Sequence, residues 1–348
     1  MKTLGLIVVF LIPLSSGCQR SEEIIGEGGQ SGLSSEVSAF DYSLNHFFVD
    51  TLYRSVYESY FLPEPPQVPS SGIQIIRQEV WVERIGLYPD PNEMLCRSFL
   101  TLPPRGGGYD PGLRGGGDTA GTTETEPMVM LNVGEYSMLG DGYTGILTID
   151  RPLNDFQSVA IAYRRADGTQ FGEFMEQVSP ESLSLQKKPL ILHLVKPRVL
   201  NENGARYPVA WKMLVKSFYP LGSTYIGRYG FSLQIVRRVA GIPDQTTILG
   251  HSLLNILGLD DCGPNGVLLQ HGDGVFDFRP FRTIDPVHGE VILPYLRPFD
   301  SGIQEYFRSR GGPQQPDSTY LLPEIYDMTV TEARAMSKST YFLQWRQR

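Results

Sequence analysis

The fold class is decided by residues 142–176, which read GYTGILTIDRPLNDFQSVAIAYRRADGTQFGEFME. Two runs in this stretch, Gly142–Ile149 and Ser158–Arg164, are rich in the β-branched and aromatic residues that favour strands. The tetrapeptide Ala166–Thr169 follows the second run, and its Asp-Gly pair provides the positive φ that a tight hairpin turn requires. The stretch therefore predicts antiparallel strands joined by a hairpin.

The same kind of strand signal recurs on both sides of this stretch. Further strand candidates are Ile73–Arg84, Cys96–Leu102, Leu190–Val195, Tyr229–Val236 and Thr340–Trp345. Helical candidates are fewer: apolar residues at helical spacing within 40–60, one face of Trp211–Phe218, and the short apolar run Leu249–Leu257. The last strand candidate has no strand after it with which to pair. We predict an α+β fold that is dominated by antiparallel β-strands and contains a few short helices.

The composition excludes several function classes. The chain has 348 residues, and 30 Lys and Arg against 38 Asp and Glu give a net charge of −8. This acidic balance argues against nucleic acid as a partner, because phosphate binding needs a basic surface. With 41% hydrophobic residues the chain can bury a core, and no apolar run reaches the roughly 18 residues of a transmembrane helix.

The first residues are predicted to be a targeting segment. A short basic start is followed by the apolar run Leu4–Leu14, which is too short to span a bilayer and is typical of a signal peptide. Small residues then lead to Cys18, as at a bacterial lipoprotein cleavage site. We predict a signal peptide over residues 1–17 with Cys18 as a lipid anchor; ordinary secretion with an incidental thiol is the alternative. The protein is expected to be exported to the outer membrane or cell surface, where it could also face the periplasm.

The mature chain divides into segments of different composition. Residues 18–39 are polar and predict a flexible tether, and residues 40–102 predict a helix followed by short strands. Residues 103–127 are rich in Gly and Pro and are predicted to be a linker that contains a domain boundary. Their glycines are not followed by Gly-Lys-Ser/Thr, so a loop is favoured over a phosphate-binding site. Residues 128–348 form the largest predicted module.

Short motif-like elements follow one another in a fixed order through this module. They are Gly142-Tyr143, Val159–Tyr163, Asp167-Gly168, Gly172–Phe174, Leu190–Leu194, Trp211–Met213, Tyr219–Gly222, Leu253–Asn255, Gly272–Phe278, Gly289–Pro294, Leu296–Phe299 and Tyr326–Thr329. In this series, residues 128–348 resemble a recurring segment of the outer-membrane translocon of the type IX secretion system, the SprA or Sov family of gliding-motility cell-surface proteins. The first 127 residues do not contribute to the resemblance, and members of the family are several times longer.

The resemblance implies a role in protein transport. It implies a module or fragment of a very large β-barrel translocon, which acts without enzymatic activity in type IX secretion and gliding motility. The implied partners are other type IX components and the outer membrane. The alternative is a surface-exposed lipoprotein that uses the same fold as a binding or adhesion module.

The densest group of oxygen ligands in the sequence is aspartate-rich. It consists of Asp260, Asp261, Asp273 and Asp277, together with Asn265. The Asp-Gly-x-x-Asp pattern resembles a calcium loop, but the first ligands of an EF-hand are missing. The alternatives are a tight turn in which the carboxylates cap backbone N–H groups, and a metal-dependent hydrolase. No other cofactor is expected.

Neither the histidines nor the cysteines form a recognisable catalytic or metal-binding motif. No two of the five histidines have the three-to-five-residue spacing of a zinc site. Cys96 and Cys262 are either a disulfide, which an exported protein allows, or two buried thiols. Because no nucleophile motif is present, we expect no enzymatic activity.

Overall fold

The computed structural model describes residues 33–62, 67–86, 90, 92–106, 109, 111–178, 188–200, 208–263, 265–310, 314–337 and 339–348. The predicted signal peptide and the predicted lipid anchor at Cys18 lie outside the described residues. The described part is β-rich, with mostly antiparallel sheets and a few short helices. The predicted α+β, β-dominated fold class is therefore confirmed.

The strands are, in chain order, β1 (Leu33–Ser38), β2 (His46–Phe48), β3 (Ile75–Glu83), β4 (Glu93–Phe99), β5 (Thr123–Met130), β6 (Tyr136–Met138), β7 (Ile146–Ile149), β8 (Val159–Arg165), β9 (Gln170–Phe171), β10 (Leu190–Lys196), β11 (Phe218–Pro220), β12 (Phe231–Val239), β13 (Ile242–Gln245), β14 (Thr247–Ile248), β15 (His251–Ser252), β16 (Ile284–Asp285), β17 (Glu290–Ile292) and β18 (Ser339–Gln347). The helices are α1 (Thr51–Phe61), α2 (Pro208–Met213), α3 (Leu253–Ile256), α4 (Ile303–Ser309), α5 (Glu324–Asp327) and α6 (Val330–Met336).

Five strands close into a small barrel. β3 pairs with β5 and β8, β4 pairs with β5 and β10, and β10 also pairs with β8, which completes the ring. All these pairs are antiparallel except β4 with β10. Strand β9 extends from β8 through the Asp167-Gly168 turn, in which Gly168 has a φ of +86°. The predicted hairpin is confirmed.

Two strands of the barrel, β8 and β10, are buried on both faces over most of their length. On β8, Ala160 and Ala162 belong to a small cluster with Trp81, whereas the alternating residues Val159 and Ile161 belong to the main core. This division follows from the two-residue period of a strand, which places successive side chains on opposite faces. The main core continues from the barrel wall into the remainder of the described protein.

The predicted domain boundary within residues 103–127 does not agree with these pairings. Strand β4 precedes this segment, β5 begins within it, and the two pair over seven consecutive residues from Glu93 to Phe99. Residues 103–127 therefore connect neighbouring strands of one barrel. The separation of residues 40–102 from residues 128–348 is wrong, because composition alone does not reveal strand pairing across a loop.

The last strand lies at the centre of a four-stranded sheet in the order β1, β18, β12, β13. β18 pairs with β12 over nine residues and with β1 over six. Thr340–Trp345, the strand candidate with no strand after it, therefore pairs with strands that come earlier in the chain. One of them, Leu33–Ser38, lies in the segment predicted as a tether, so residues 33–38 are a strand.

Two three-stranded sheets and the short helices complete the described fold. One sheet has the order β2, β7, β6 and the other has the order β11, β17, β16. The helix predicted over Trp211–Phe218 ends at Met213, because the chain then extends into β11. Within the described residues, no helix has both the length and the apolar character needed to cross a membrane.

Candidate functional site

The predicted aspartate cluster forms a turn in which carboxylates accept backbone N–H groups. The two oxygens of Asp260 accept hydrogen bonds from the N–H groups of Asp273 and Gly274, each at 2.8 Å. The turn passes so close to Asp260 that a Cβ on Gly272, whose φ is +68°, would lie 2.4 Å from its carboxylate carbon. A glycine is therefore required at position 272.

The second buried carboxylate of the cluster closes the same turn from the other side. Asp277 Oδ2 accepts the N–H groups of Asp261 at 2.7 Å and Cys262 at 3.0 Å. Asp261 in turn forms an ion pair with Arg310 at 2.7 Å, and the exposed Asp273 caps the N–H of Val275. The structure thus brings together the four predicted aspartates and gives each a partner within the protein.

Burial raises the pKa of both Asp260 and Asp277 to about 6, although their hydrogen bonds from backbone N–H groups favour the ionised form. Within the described residues, no group of three or more His, Cys, Asp or Glu side chains is arranged to hold a metal ion. The aspartate cluster therefore has the geometry of a tight turn in which carboxylates cap backbone N–H groups.

Two histidines join the two three-stranded sheets. His46 on β2 lies 2.6 Å from Glu290 on β17 and 2.9 Å from Thr148 on β7, and its ring stacks on Phe218. His288, in the turn between β16 and β17, is held between two carboxylates. Its Nε2 is 3.0 Å from Asp150 and its Nδ1 is 2.8 Å from Asp285. Hydrogen bonds to both carboxylates raise the pKa of His288 to about 10.

The remaining predicted residues of interest belong to the core. His193 is buried near Tyr163 and Phe171, and burial lowers its pKa to about 4. Cys96 is a free, fully buried thiol whose pKa is raised by burial. A Cys96–Cys262 disulfide is therefore not formed.

A pocket of about 180 Å³ lies where α1, α2, α5 and the segment after β17 meet. Its apolar wall contains Phe48, Trp211, Leu214 and Tyr326. Four cationic side chains also line it: Arg54, Lys212, Lys216 and Arg297. Three segments singled out in the sequence, Trp211–Met213, Leu296–Phe299 and Tyr326–Thr329, thus meet at one cavity although they are far apart in the chain.

The most buried cation of the pocket is Lys216, which is 5% exposed. Its ammonium lies 3.7 Å from the centre of the Trp211 ring and donates to the backbone carbonyl of Tyr326 at 3.2 Å. The Trp211 indole donates to the same carbonyl at 2.6 Å. Lys216 has no carboxylate within ion-pair distance among the described residues. Burial, with the nearby charges of Arg54 and Arg297, holds the pKa of Lys216 well below its usual range.

The other charges around the pocket only partly offset one another. Arg297 forms ion pairs with Asp300 and, through both terminal nitrogens, with Asp327. Arg54 donates to the carbonyl of Lys212 at 3.0 Å and makes no ion pair among the described residues. Burial, followed by repulsion from Arg297, lowers the pKa of Arg54. The pocket therefore has a positive local potential in an acidic protein.

Sequence reasoning missed this pocket because its lining residues come from four distant segments. One signal was available: in WKMLVKSF, residues 211–218, Lys216 stands within an apolar run. A lysine in such a run is either a solvated side chain on a polar face or a buried cation, and only the packing distinguishes them.

Comparison with known protein families finds no family model that matches the chain, and comparison with curated proteins finds no relative.

Proposed function

We propose that this protein is an exported, non-enzymatic component of outer-membrane protein translocation in the type IX secretion system and in gliding motility. The observation that carries the proposal is the ordered series of elements between Gly142 and Thr329 that resembles the translocon family. In this proposal the chain acts as a module or fragment of a SprA-like translocon, with other type IX components as its partners.

The places that these elements occupy in the fold support a structural role. Gly172, with a φ of +77°, lies so close to β8 that a Cβ would be 2.9 Å from the Cα of Ala162. The next residue, Glu173, is buried, accepts the N–H of Ile191 at 3.0 Å and forms an ion pair with Arg114. Phe174 is fully buried beside the barrel strands. The contacts of these three residues hold neighbouring strands together. This is the role expected of a non-enzymatic building block.

The turn formed by Gly272–Phe278 supports the same proposal. Its buried Asp277 accepts the N–H of Asp261, and the N–H of its Asp273 donates to Asp260. Phe276 and Phe278 pack edge to face against Phe231 of the four-stranded sheet. The element therefore attaches a loop to a sheet.

One feature favours the second candidate, a surface lipoprotein that acts as a binding or adhesion module. A groove of about 800 Å³ runs over the four-stranded sheet and is lined by hydroxyl, amide and charged side chains beside Trp345. Examples are Ser34, Glu36, Gln234 and Gln344. Ser34, Glu36 and Gln234 are exposed and provide the hydrogen-bond donors and acceptors that an extracellular glycan would use.

The two candidates differ in what the protein contacts in the cell. The chain would be tagged and cross-linked in intact cells, with an unrelated exported lipoprotein carrying the same tag as the control. The translocation proposal expects cross-links to outer-membrane export components that the control lacks. Absence of such cross-links, together with specific binding of a purified glycan by the chain, would replace it with the adhesion candidate.

A further inference from the structure

The pocket around Lys216 has two features that together point to a ligand. It contains a buried ammonium without a carboxylate partner among the described residues, and it contains empty space beside that ammonium. A buried charge without an opposite charge is costly, so the positions of Arg54 and Arg297 around Lys216 make the site more favourable when an anion enters.

The charged side chains that line the pocket favour an anion. Four cations, Arg54, Lys212, Lys216 and Arg297, line the pocket together with one carboxylate, that of Asp327, which is paired with Arg297. The cations of the lining outnumber its carboxylate, so one anionic group of a ligand would be attracted there and would favour the charged form of Lys216.

The size and the apolar wall of the pocket define the rest of the ligand. A protein cavity of about 150 Å³ accommodates benzene, so a cavity of about 180 Å³ has room for a small apolar group and a carboxylate. Trp211 and Leu214 would contact the apolar group, and the ammonium of Lys216 lies at the Trp211 face.

We propose that this pocket binds a carboxylate attached to a small apolar group, with Lys216 and Arg54 as the residues that hold the carboxylate. Two sources share this chemistry: a free apolar carboxylic acid, and the C-terminal residue of a polypeptide that ends in an apolar side chain. The site is independent of the proposed translocation function, because it depends only on the contacts around Lys216.

The test is calorimetric titration of the purified full-length chain with phenylacetate, with benzyl alcohol as the uncharged control. In parallel, a short peptide that ends in a free C-terminal Phe is compared with the same peptide as its C-terminal amide. Binding of phenylacetate or the free peptide, but of neither uncharged control, supports the proposal. Phenylacetate alone would identify a free acid as the ligand, and tighter binding of the free peptide would identify a polypeptide terminus.

Substitutions of pocket residues test whether the ligand binds in this pocket. Lys216→Met removes the ammonium and should weaken binding at least about tenfold, since a hydrogen bond to a charged group is lost. Lys196→Met is the matched control, because Lys196 is also buried but donates to the carbonyls of Asp155 and Gln157 in the barrel; it should bind as the wild type does. If Lys216→Met does not fold, Arg54→Gln on half-buried α1 should still weaken binding about threefold or more. No binding of either acid, or equal binding by the folded pocket variants, overturns the proposal.

Discussion

The arrangement of His288 between Asp150 and Asp285 predicts a specific pH dependence of stability. The ordinary pKa of a histidine is 6.5, and the two carboxylates raise that of His288 to about 10. Between these values the folded state holds a proton that the unfolded state has lost. The stabilisation is therefore fully present below pH 6.5 and disappears as the pH rises through about 10.

The difference between the two pKa values sets a ceiling of about 5 kcal/mol on this stabilisation. The His288 side chain is 32% exposed, so solvent screening reduces the expected contribution to about 1–2 kcal/mol. The His288→Gln variant should lose this amount at pH 6 and almost nothing at pH 10.5. Other titrating groups, such as Lys196, whose pKa burial lowers to about 8, are common to both proteins and cancel in the comparison.

The assay is urea unfolding of the wild type and His288→Gln at one-unit steps from pH 6 to pH 10.5, with the NMR titration of the His288 ring as a direct reading of its pKa. A stability difference that shrinks with rising pH, and a ring that titrates far above 6.5, are expected. A difference that is constant or grows with pH, or a ring that titrates near 6.5, would refute the reasoning.

Three further predictions concern stability and can be measured by urea unfolding. Gly289→Ala should cost more than about 3 kcal/mol, because its Cβ would lie 1.6 Å from a backbone carbonyl oxygen at a φ of +67°. Gly168→Ala, with the same type of backbone but open space around it, should cost only about 1–2 kcal/mol; equal costs would show that the close contact at position 289 relaxes. Leu343→Ala, in the fully buried centre of β18, should cost about 2–5 kcal/mol, and a cost below about 1 kcal/mol would contradict the central position of this strand. Asp260→Asn should cost about 1–3 kcal/mol, because an amide cannot accept N–H groups with both of its terminal atoms. Asp273→Asn should cost under about 1 kcal/mol, since asparagine caps an exposed turn equally well; the reverse order would point to a role for Asp273 beyond the turn.

Local signals in the sequence were sufficient for much of the secondary structure. The strand predicted over Leu190–Val195 is present as β10, and the Asp167-Gly168 pair forms the predicted hairpin. Both follow from residues that are close in sequence: β-branched and aromatic runs favour extended backbone, and Asp-Gly provides the turn.

Pairings between distant segments could not be predicted in this way. The parallel pair of β4 with β10 closes the barrel, and β18 pairs with a strand some three hundred positions earlier in the chain. Because the side-chain period of a strand defines its faces but not its neighbours, the partner of β18 could not be found from the pattern of β18 itself.

The two candidate sites also differ in whether their residues are close together in the sequence. The aspartate turn could be located from sequence because its ligand-like residues lie within one short segment, and the alternative of backbone capping describes its geometry. The Lys216 pocket could not, since Arg54, Trp211 and Arg297 meet only after α1, α2 and the segment after β17 have packed together.

We propose, above all, a role for the protein in type IX protein export. Its most direct test compares the proteins of the culture medium with those of the periplasm, in wild-type cells, in cells lacking the gene, and in the deletion strain with the gene restored. The claim predicts that type IX cargo accumulates in the periplasm and is depleted from the medium on deletion, and that restoring the gene reverses both changes. An unchanged distribution of cargo, with normal gliding, would contradict it.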